Sequence, residues 1–271
     1  MIDLLKIITQ SHRYNFHSHT QFCDGRACMD EFAAKAVELG LEHYGFSPHS
    51  PIQVESPCNM KADNVPLYLD EVARLKVLHR NDINLYASME IDYIDGYGPS
   101  HPYYQALPLD YRIGSVHFIP SFVNPNEYID IDGRYENFKG KMEKYFHDDI
   151  ESVVRSYYAQ SLKLVEGGGF EIIAHCDKIG HNASCHRPGI ENESWYQKLI
   201  QRHVESIMDH HYIIEVNTKA WEQFGRFFPG EQYFSLLKKY NAPVMFNSDA
   251  HYPELINAGR DEAIKRYYSE K

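Results

Sequence analysis

Short apolar or β-branched runs alternate along this chain with longer stretches of helical period. Seven of the runs read as strands, near Tyr14–Phe16, His43–Phe46, Ile83–Met89, Tyr111–Val116, Phe170–Ala174, Tyr212–Val216 and Pro243–Asn247. Between them, Met29, Phe32, Ala33, Ala36 and Val37 recur at helical spacing and stop at Gly40. Ile150, Val153, Val154, Tyr157, Leu162 and Val165 do the same ahead of Gly167-Gly168-Gly169. Further helices are predicted near Val65–His79, Ser194–Met208, Glu231–Tyr240 and Pro253–Tyr267. Strands that alternate with helices predict βα units around a parallel sheet, and so an α/β fold. The span from Pro120 to His147 is rich in tyrosine and charge, has weak periodicity, and reads as an inserted loop or lid. With no internal repeat, low-complexity tract or linker, residues 1–271 read as one domain.

In a parallel barrel, functional side chains gather at the C-terminal ends of the strands and in the loops that follow. The first run delivers His17 and His19, the second leads to His49, the third ends in Glu90 with Asp92 beyond, and the fourth ends in His117. The fifth runs into His175-Cys176-Asp177, the sixth reads Ile214-Glu215-Val216-Asn217-Thr218-Lys219, and the seventh leads to Asp249-Ala250-His251. Six of the seven thus end in His, Asp or Glu at or just past the last apolar residue. In His17-Ser18-His19 and Asp249-Ala250-His251 the period of two in extended chain turns both side chains to one face, so two donors from one strand end can converge on a metal cluster. A set rich in His, Asp and Glu suits zinc, iron or manganese better than calcium or magnesium. A lone histidine at a strand end is ordinarily structural; it is the repetition that argues for a metal site. His12, His79, His147, His203, His210 and His211 lack such placement and read as surface or helix residues.

Composition narrows the setting. The chain has 43% hydrophobic residues, enough for a sizeable core, and a net charge of −11, which gives no general attraction to nucleic acid or an anionic membrane. Five cysteines without a Cys-x-x-Cys pair are too few for a disulfide scaffold, and a reducing cytoplasm is expected. No export signal is read at the N-terminus, and nowhere do about 18 apolar residues run together as a membrane span requires. Cys23 and Cys176 lie near candidate ligands but read as structural thiols. A Gly-x-Ser-x-Gly elbow, a Rossmann fingerprint and a Walker A loop are all absent.

These residues carry a resemblance. The sequence is similar to the PHP (polymerase and histidinol phosphatase) superfamily, and most similar to its monofunctional histidinol-phosphatase branch. The matching segments are His17-Ser18-His19-Thr20 with Phe22-Cys23-Asp24-Gly25, Gly45-Phe46-Ser47-Pro48-His49, Met89-Glu90-Ile91-Asp92-Tyr93, Asp110 to Phe118, Ala174-His175-Cys176-Asp177, Glu215-Val216-Asn217-Thr218 and Asn247-Ser248-Asp249-Ala250-His251. They run in family order over almost the whole chain. The resemblance implies a distorted (β/α)7 TIM-like barrel with three divalent metal ions at the C-terminal ends of its strands. By matched position, His17, His19, Glu90 and Asp249 would hold one ion. Glu90 would bridge to a second that also takes His117 and His175, and Asp24, His49 and His251 would hold the third.

The activity so implied is hydrolysis of a small phosphomonoester, L-histidinol phosphate, to L-histidinol and phosphate in histidine biosynthesis. The cations would neutralise the phosphate and lower the pKa of the attacking water. Glu90, as the bridging carboxylate, and Asp249 or His251, as groups able to move a proton to the leaving oxygen, would be the catalytic side chains. The branch usually carries an arginine soon after Glu-x-Asn-Thr, whereas here Lys219-Ala220-Trp221-Glu222 fills that stretch and Arg226 comes later. Arg226, Lys219 and Arg187 are therefore the candidate substrate contacts, each with the alternative of being a solvated surface cation. Trp221 and Phe227-Phe228 either wall a pocket or pack the core. The competing functions are a phosphodiesterase or exonuclease of the same superfamily, which the acidic charge disfavours, and a metal-binding relative without activity, which nine filled ligand positions disfavour.

Overall fold

A computed structural model describes residues 2–269; Met1, Glu270 and Lys271 lie outside the described residues. The strands are β1 (Tyr14–Asn15), β2 (His43–Phe46), β3 (Asn84–Ala87), β4 (Glu90–Asp92), β5 (Ile113–Ser115), β6 (Phe118–Pro120), β7 (Tyr128–Asp130), β8 (Ile172–Ile173), β9 (Ile213–Asn217) and β10 (Val244–Asn247). The helices are α1 (Leu4–Gln10), α2 (Met29–Glu38), α3 (Val65–Leu78), α4 (Pro102–Gln105), α5 (Tyr135–Tyr145), α6 (Ile150–Gly167), α7 (Ile179–His186), α8 (Ser194–Asp209), α9 (Trp221–Phe224), α10 (Phe234–Lys239) and α11 (Arg260–Tyr268). None of these helices is long and apolar enough to cross a membrane.

Two parallel sheets, β1-β2-β3 and β10-β9-β8-β5-β4, share the wall of one barrel. The third predicted run is a single strand interrupted at Ser88-Met89, its first part pairing with β2 and its second with β5. Parallel bridges complete the ring, Ser18 to Ala250 between the ends of β1 and β10, and His49 to Glu90 between the end of β2 and β4. The seven predicted runs are thus the seven staves, short because the sheet breaks into bridges where the ligands begin.

Helix α1, which the apolar pattern was too short to announce, sends Leu4 and Ile8 into a cluster with Tyr14, Ile113, Ile172 and Ile213, the first residues of four strands. It therefore caps the N-terminal end of the barrel and leaves the opposite end for chemistry. Two larger clusters fill the space between barrel and helices, one built on α2 and α3, the other on α6, α8 and α10.

The Pro120–His147 span is not a loop. Strands β6 and β7 form an antiparallel hairpin, and α5 follows, burying Phe138 and Met142. Ile119, Ile129, Ile131 and Phe146 join the same core as α6, so the insert is a packed layer. The predicted Pro253–Tyr267 helix is likewise interrupted. A short 3-10 turn at Pro253–Leu255 precedes α11, and Gly259 between them has φ +69°.

Candidate metal centre

The bridge between Ser18 and Ala250 organises the first half of the site. His17 and His19 flank Ser18, where the alternation of extended chain turns both toward the barrel mouth, and Asp249 and His251 flank Ala250 opposite them. His19 Nε2 stands 2.8 Å from Asp249 Oδ1, and the rings of His19 and His251 are 3.9 Å apart. The second bridge joins two more donors, with His49 Nδ1 3.1 Å from Glu90 Oε2.

Glu90 is the hub. Its two oxygens lie 3.2 Å from His17, 3.6 Å from His19, 3.6 Å from His117 and 2.8 Å from His175, in addition to His49. Among the described residues, four sets of donors converge: His19, Asp24, His49 and His251; His17, His19 and Asp249; Glu90, His117 and His175; and His49, Asp92 and His117. All nine sequence-predicted ligands fall within them. Two of these residues have positive φ, His175 at 23° and Asp249 at 50°, a backbone state that branched or bulky side chains rarely adopt and that clusters at functional sites.

The protonation states suit a cation. Burial would raise the Glu90 carboxyl, yet His17, His49 and His117 hold it well below the usual carboxylate range, and Asp249 is likewise held down by Lys219 and His17. Burial pulls His49 down to about 3 and His251 to about 4, which leaves both imidazoles neutral with a lone pair to donate. His17, His19 and His117 are contrary cases: neighbouring carboxylates outweigh burial and raise His17 to about 10, His117 to about 9 and His19 well above the usual imidazole value. His17 Nε2, His19 Nε2, Asp24 Oδ1, His49 Nδ1 and Glu90 Oε2 are all buried without a hydrogen-bond partner. Five stranded polar atoms in one pit cost far more than a fold tolerates unless a ligand satisfies them. Divalent cations fit that donor set.

Two further carboxylates aim the histidines; both lie at the strand ends read from the sequence, which assigned neither a role. His17 Nδ1 lies 2.7 Å from Glu215 Oε1, and His117 Nδ1 lies 2.7 Å from Asp92 Oδ1. With Nδ1 so engaged, each ring presents Nε2 to the pit. The signal was the alternation Glu215-Val216-Asn217, which puts a carboxylate on the inner face one step before the strand end.

The three candidate substrate cations part company. Lys219 Nζ lies 3.3 Å from Asp249 Oδ1 and 3.2 Å from His251 Nε2, at the edge of the cluster. Arg226 is spent elsewhere, its Nη2 2.9 Å from Asp177 Oδ2 and 2.7 Å from Glu191 Oε1, and its Nη1 2.8 Å from Glu191 Oε2. Arg187 pairs with Glu193 at 2.9 Å and lies over the Trp195 ring, between α7 and α8. Neither arginine reaches the ligands, because each finds a carboxylate on its own flank first. Phe227 and Phe228 are buried, and Trp221 stacks on Phe227 at 4.6 Å. His203 is buried rather than exposed, as are Cys176 and most of the tyrosines near α6 and α8.

A seven-stranded parallel barrel with a pit of histidines and carboxylates at the C-terminal ends of its strands defines a metal-dependent barrel protein. The chain belongs to the PHP domain family, whose model matches residues 15–219. It is 23% identical over 268 residues to the histidinol-phosphatase of Bacillus subtilis (strain 168), with 87% of this chain and 92% of that one covered. The fold is shared with a crystal structure of HisK from Listeria monocytogenes, at a TM-score of 0.81 and 18% identity, covering 92% and 99% of the two chains. It is shared also with histidinol phosphate phosphatase of Lactococcus lactis, solved with zinc, L-histidinol and phosphate, at a TM-score of 0.70 and 20% identity over 96% and 95%.

Proposed function

We propose that this protein is a metal-dependent phosphomonoesterase that hydrolyses L-histidinol phosphate to L-histidinol and phosphate. The observation that carries the reading is the Glu90 hub, a single buried carboxylate within 3.6 Å of five histidines at the mouth of the barrel. The substrate is supported by the name of the Bacillus subtilis relative and by the ligands of the Lactococcus lactis structure.

Three divalent ions, zinc, iron or manganese, would be held by His17, His19 and Asp249, by Glu90, His117 and His175, and by Asp24, His49 and His251, with Glu90 shared between the first two sets. When bound, such cations neutralise phosphoryl oxygens and lower the pKa of water. Lys219 contributes a further positive charge beside Asp249, where it can hold a phosphoryl oxygen. Asn217 Nδ2 fixes Asp249 Oδ2 at 3.1 Å, so this carboxylate keeps one orientation while Oδ1 faces the ligand side. Asp249, held ionised, is the group we assign to accepting the proton that the attacking water gives up and passing it to the leaving alcohol oxygen, and His251, whose Nδ1 bonds the Asp249 carbonyl at 3.0 Å, presents Nε2 as a donor to metal. We place the reaction in the cytoplasm, a reading supported by five cysteines that form no disulfide.

The test is kcat/KM for L-histidinol phosphate with protein reconstituted in zinc or manganese. A value of roughly 10⁴ M⁻¹s⁻¹ or more is expected of a native substrate. Turnover confined to other phosphoesters would overturn the substrate and keep the reaction class.

A further inference from the structure

We propose that Lys178 and Asp132 form a charge-paired clamp beside the metal centre that selects phosphomonoesters bearing an ammonium group. The proposal rests on the phosphomonoesterase reading above and deepens it by naming how the alcohol half of the substrate is recognised.

The position of Asp132 is built. After the β6–β7 hairpin the chain turns back along the site, where Ile131 N donates to the carbonyl of His117 at 2.9 Å. Asn182 of α7 then clamps both sides of the aspartate, its Nδ2 donating to Ile131 O at 3.1 Å and to Gly133 O at 3.3 Å. The backbone N of Asp132 donates to Asp130 Oδ1 at 2.8 Å. The insert therefore delivers one fixed carboxylate next to a metal-ligand strand end.

Lys178 comes from the other side. It follows His175 by one turn, its N donating to the His175 carbonyl at 2.8 Å, and its ammonium lies 3.3 Å from Asp132 Oδ2 and 5.1 Å from the centre of the Phe228 ring. Its side chain is only 8% exposed, against 34% for Asp132. Backbone hydrogen bonds tie Lys178 to His175 and Ile131, the neighbour of Asp132, to His117, so the pair stands beside two ligand-bearing segments.

The pair's hydrogen-bonding capacity is largely unspent. An ammonium has three donors and a carboxylate about four acceptor sites. Among the described residues neither head group makes a further side-chain hydrogen bond, whereas Arg226, whose guanidinium also lies over the Phe228 ring, uses both terminal nitrogens on carboxylates. A half-buried ion pair held by one contact of 3.3 Å is a modest source of stability, since solvent screening and desolvation offset the attraction. Its better use is recognition. A phosphoryl anion alone would meet Lys178 but be repelled by Asp132. A substrate that carries an ammonium near its phosphate sets positive against Asp132 and negative against Lys178, and like-charge opposition rejects esters that lack the amine.

The experiment uses metal-reconstituted full-length enzyme and two esters that differ only in the amine, L-histidinol phosphate and 3-(imidazol-4-yl)propyl phosphate. Wild-type protein is expected to prefer the amine ester at least tenfold in kcat/KM. Asp132→Asn is expected to lower that ratio at least tenfold. Lys178→Met is expected to lower kcat/KM at least tenfold for both esters, with Lys178→Arg recovering part of the loss. Calorimetric titration gives a readout apart from turnover, with Asp132→Asn weakening L-histidinol and Lys178→Met weakening inorganic phosphate. An Asp132→Asn enzyme that keeps the wild-type ratio, or a Lys178→Met enzyme within threefold of wild type, overturns the clamp. A wild type that instead prefers another amine-bearing ester, with Asp132→Asn erasing the preference, keeps the clamp and overturns only the histidinol assignment.

Discussion

His17 Nδ1 lies 2.7 Å from Glu215 Oε1, and that carboxylate has no freedom left. Asn247 Nδ2 donates to the same oxygen at 3.0 Å, while Asn217 Nδ2 and the backbone N of His175 donate to Oε2 at 3.0 and 3.1 Å. All partners other than the imidazole are fixed N–H donors, so only an acceptor fits. Glu215→Gln would turn an amide NH₂ against at least one of them and loosen the ring of His17. We expect metal affinity to fall about 10- to 100-fold, read by titrating apo-protein with zinc, with less than the full complement of metal after dialysis. An unchanged titration would show that His17 is oriented by packing alone.

Chelation bears on the same pit from the side of stability. Asp24, Glu90, Asp92, Glu215 and Asp249 stand within one cluster of buried histidines, and two of their oxygens, Asp24 Oδ1 and Glu90 Oε2, make no directed hydrogen bond. Metal that binds the folded chain stabilises it by mass action, about 2.7 kcal/mol at a hundredfold excess over Kd. Excess chelator is expected to lower the Tm by several degrees, and added zinc or manganese to restore it. Metal analysis of the reconstituted protein is expected to give close to three ions per chain. A Tm that ignores chelator would remove the metal from the folded state altogether.

Much of the site was legible because it obeys a local rule. His17 and His19 need only an extended backbone to share a face, and the Ser18–Ala250 bridge brings Asp249 and His251 opposite them, although Asp249 itself sits at φ +50°. What stayed hidden depends on partners distant in sequence. Nothing near Arg226 announces that Glu191 and Asp177 will take its guanidinium, 35 and 49 residues away. The insert was misread for a different reason. Ile129 and Ile131 do alternate with polar neighbours, and Phe138, Met142 and Phe146 do recur every fourth residue, but dense tyrosine and charge masked both periods. Lys178 carries no sequence signal of its own, since only the returning chain at Asp132 gives it a role.

Arg226 is expected to matter for folding before chemistry. Its guanidinium bridges Asp177 and Glu191, whose side chains are 0% and 13% exposed, and Tyr158 and Tyr196 donate to the other oxygen of Asp177 at 3.0 and 2.8 Å. A Cβ on Gly180 would collide with Arg226 Nη2, so the helix start is shaped around the pair. Arg226→Met strands a buried carboxylate and is expected to cost about 3–5 kcal/mol in unfolding free energy. Lys219→Met, by contrast, is expected to leave the denaturation midpoint close to wild type while raising KM for a phosphomonoester. If Arg226→Met were as stable as wild type and raised KM instead, the assignment of the two cations would be reversed.

His203 gives a pH dependence that can be isolated from the metal site. It sits on α8, fully buried, with Nε2 3.1 Å from Ser161 Oγ and its ring edge-on to Tyr158 at 5.7 Å, and burial alone pulls its pKa down to about 3. In the unfolded chain the same imidazole titrates near 6.5. Between those values the unfolded state binds a proton that the folded state refuses, so stability is full above pH 6.5 and declines as pH falls toward 3. The limiting slope is about 1.4 kcal/mol per pH unit, and the whole loss is about 4–5 kcal/mol. Acid also strips metal ligands, so the useful quantity is the difference in unfolding free energy between wild type and His203→Leu. Loss of metal affects both proteins and cancels. That difference is expected to be flat above pH 7 and to move in favour of His203→Leu as pH falls to 4.5. A difference that stays flat across the whole range would mean that His203 takes up its proton in the folded protein, and α8 would then have to open to admit it.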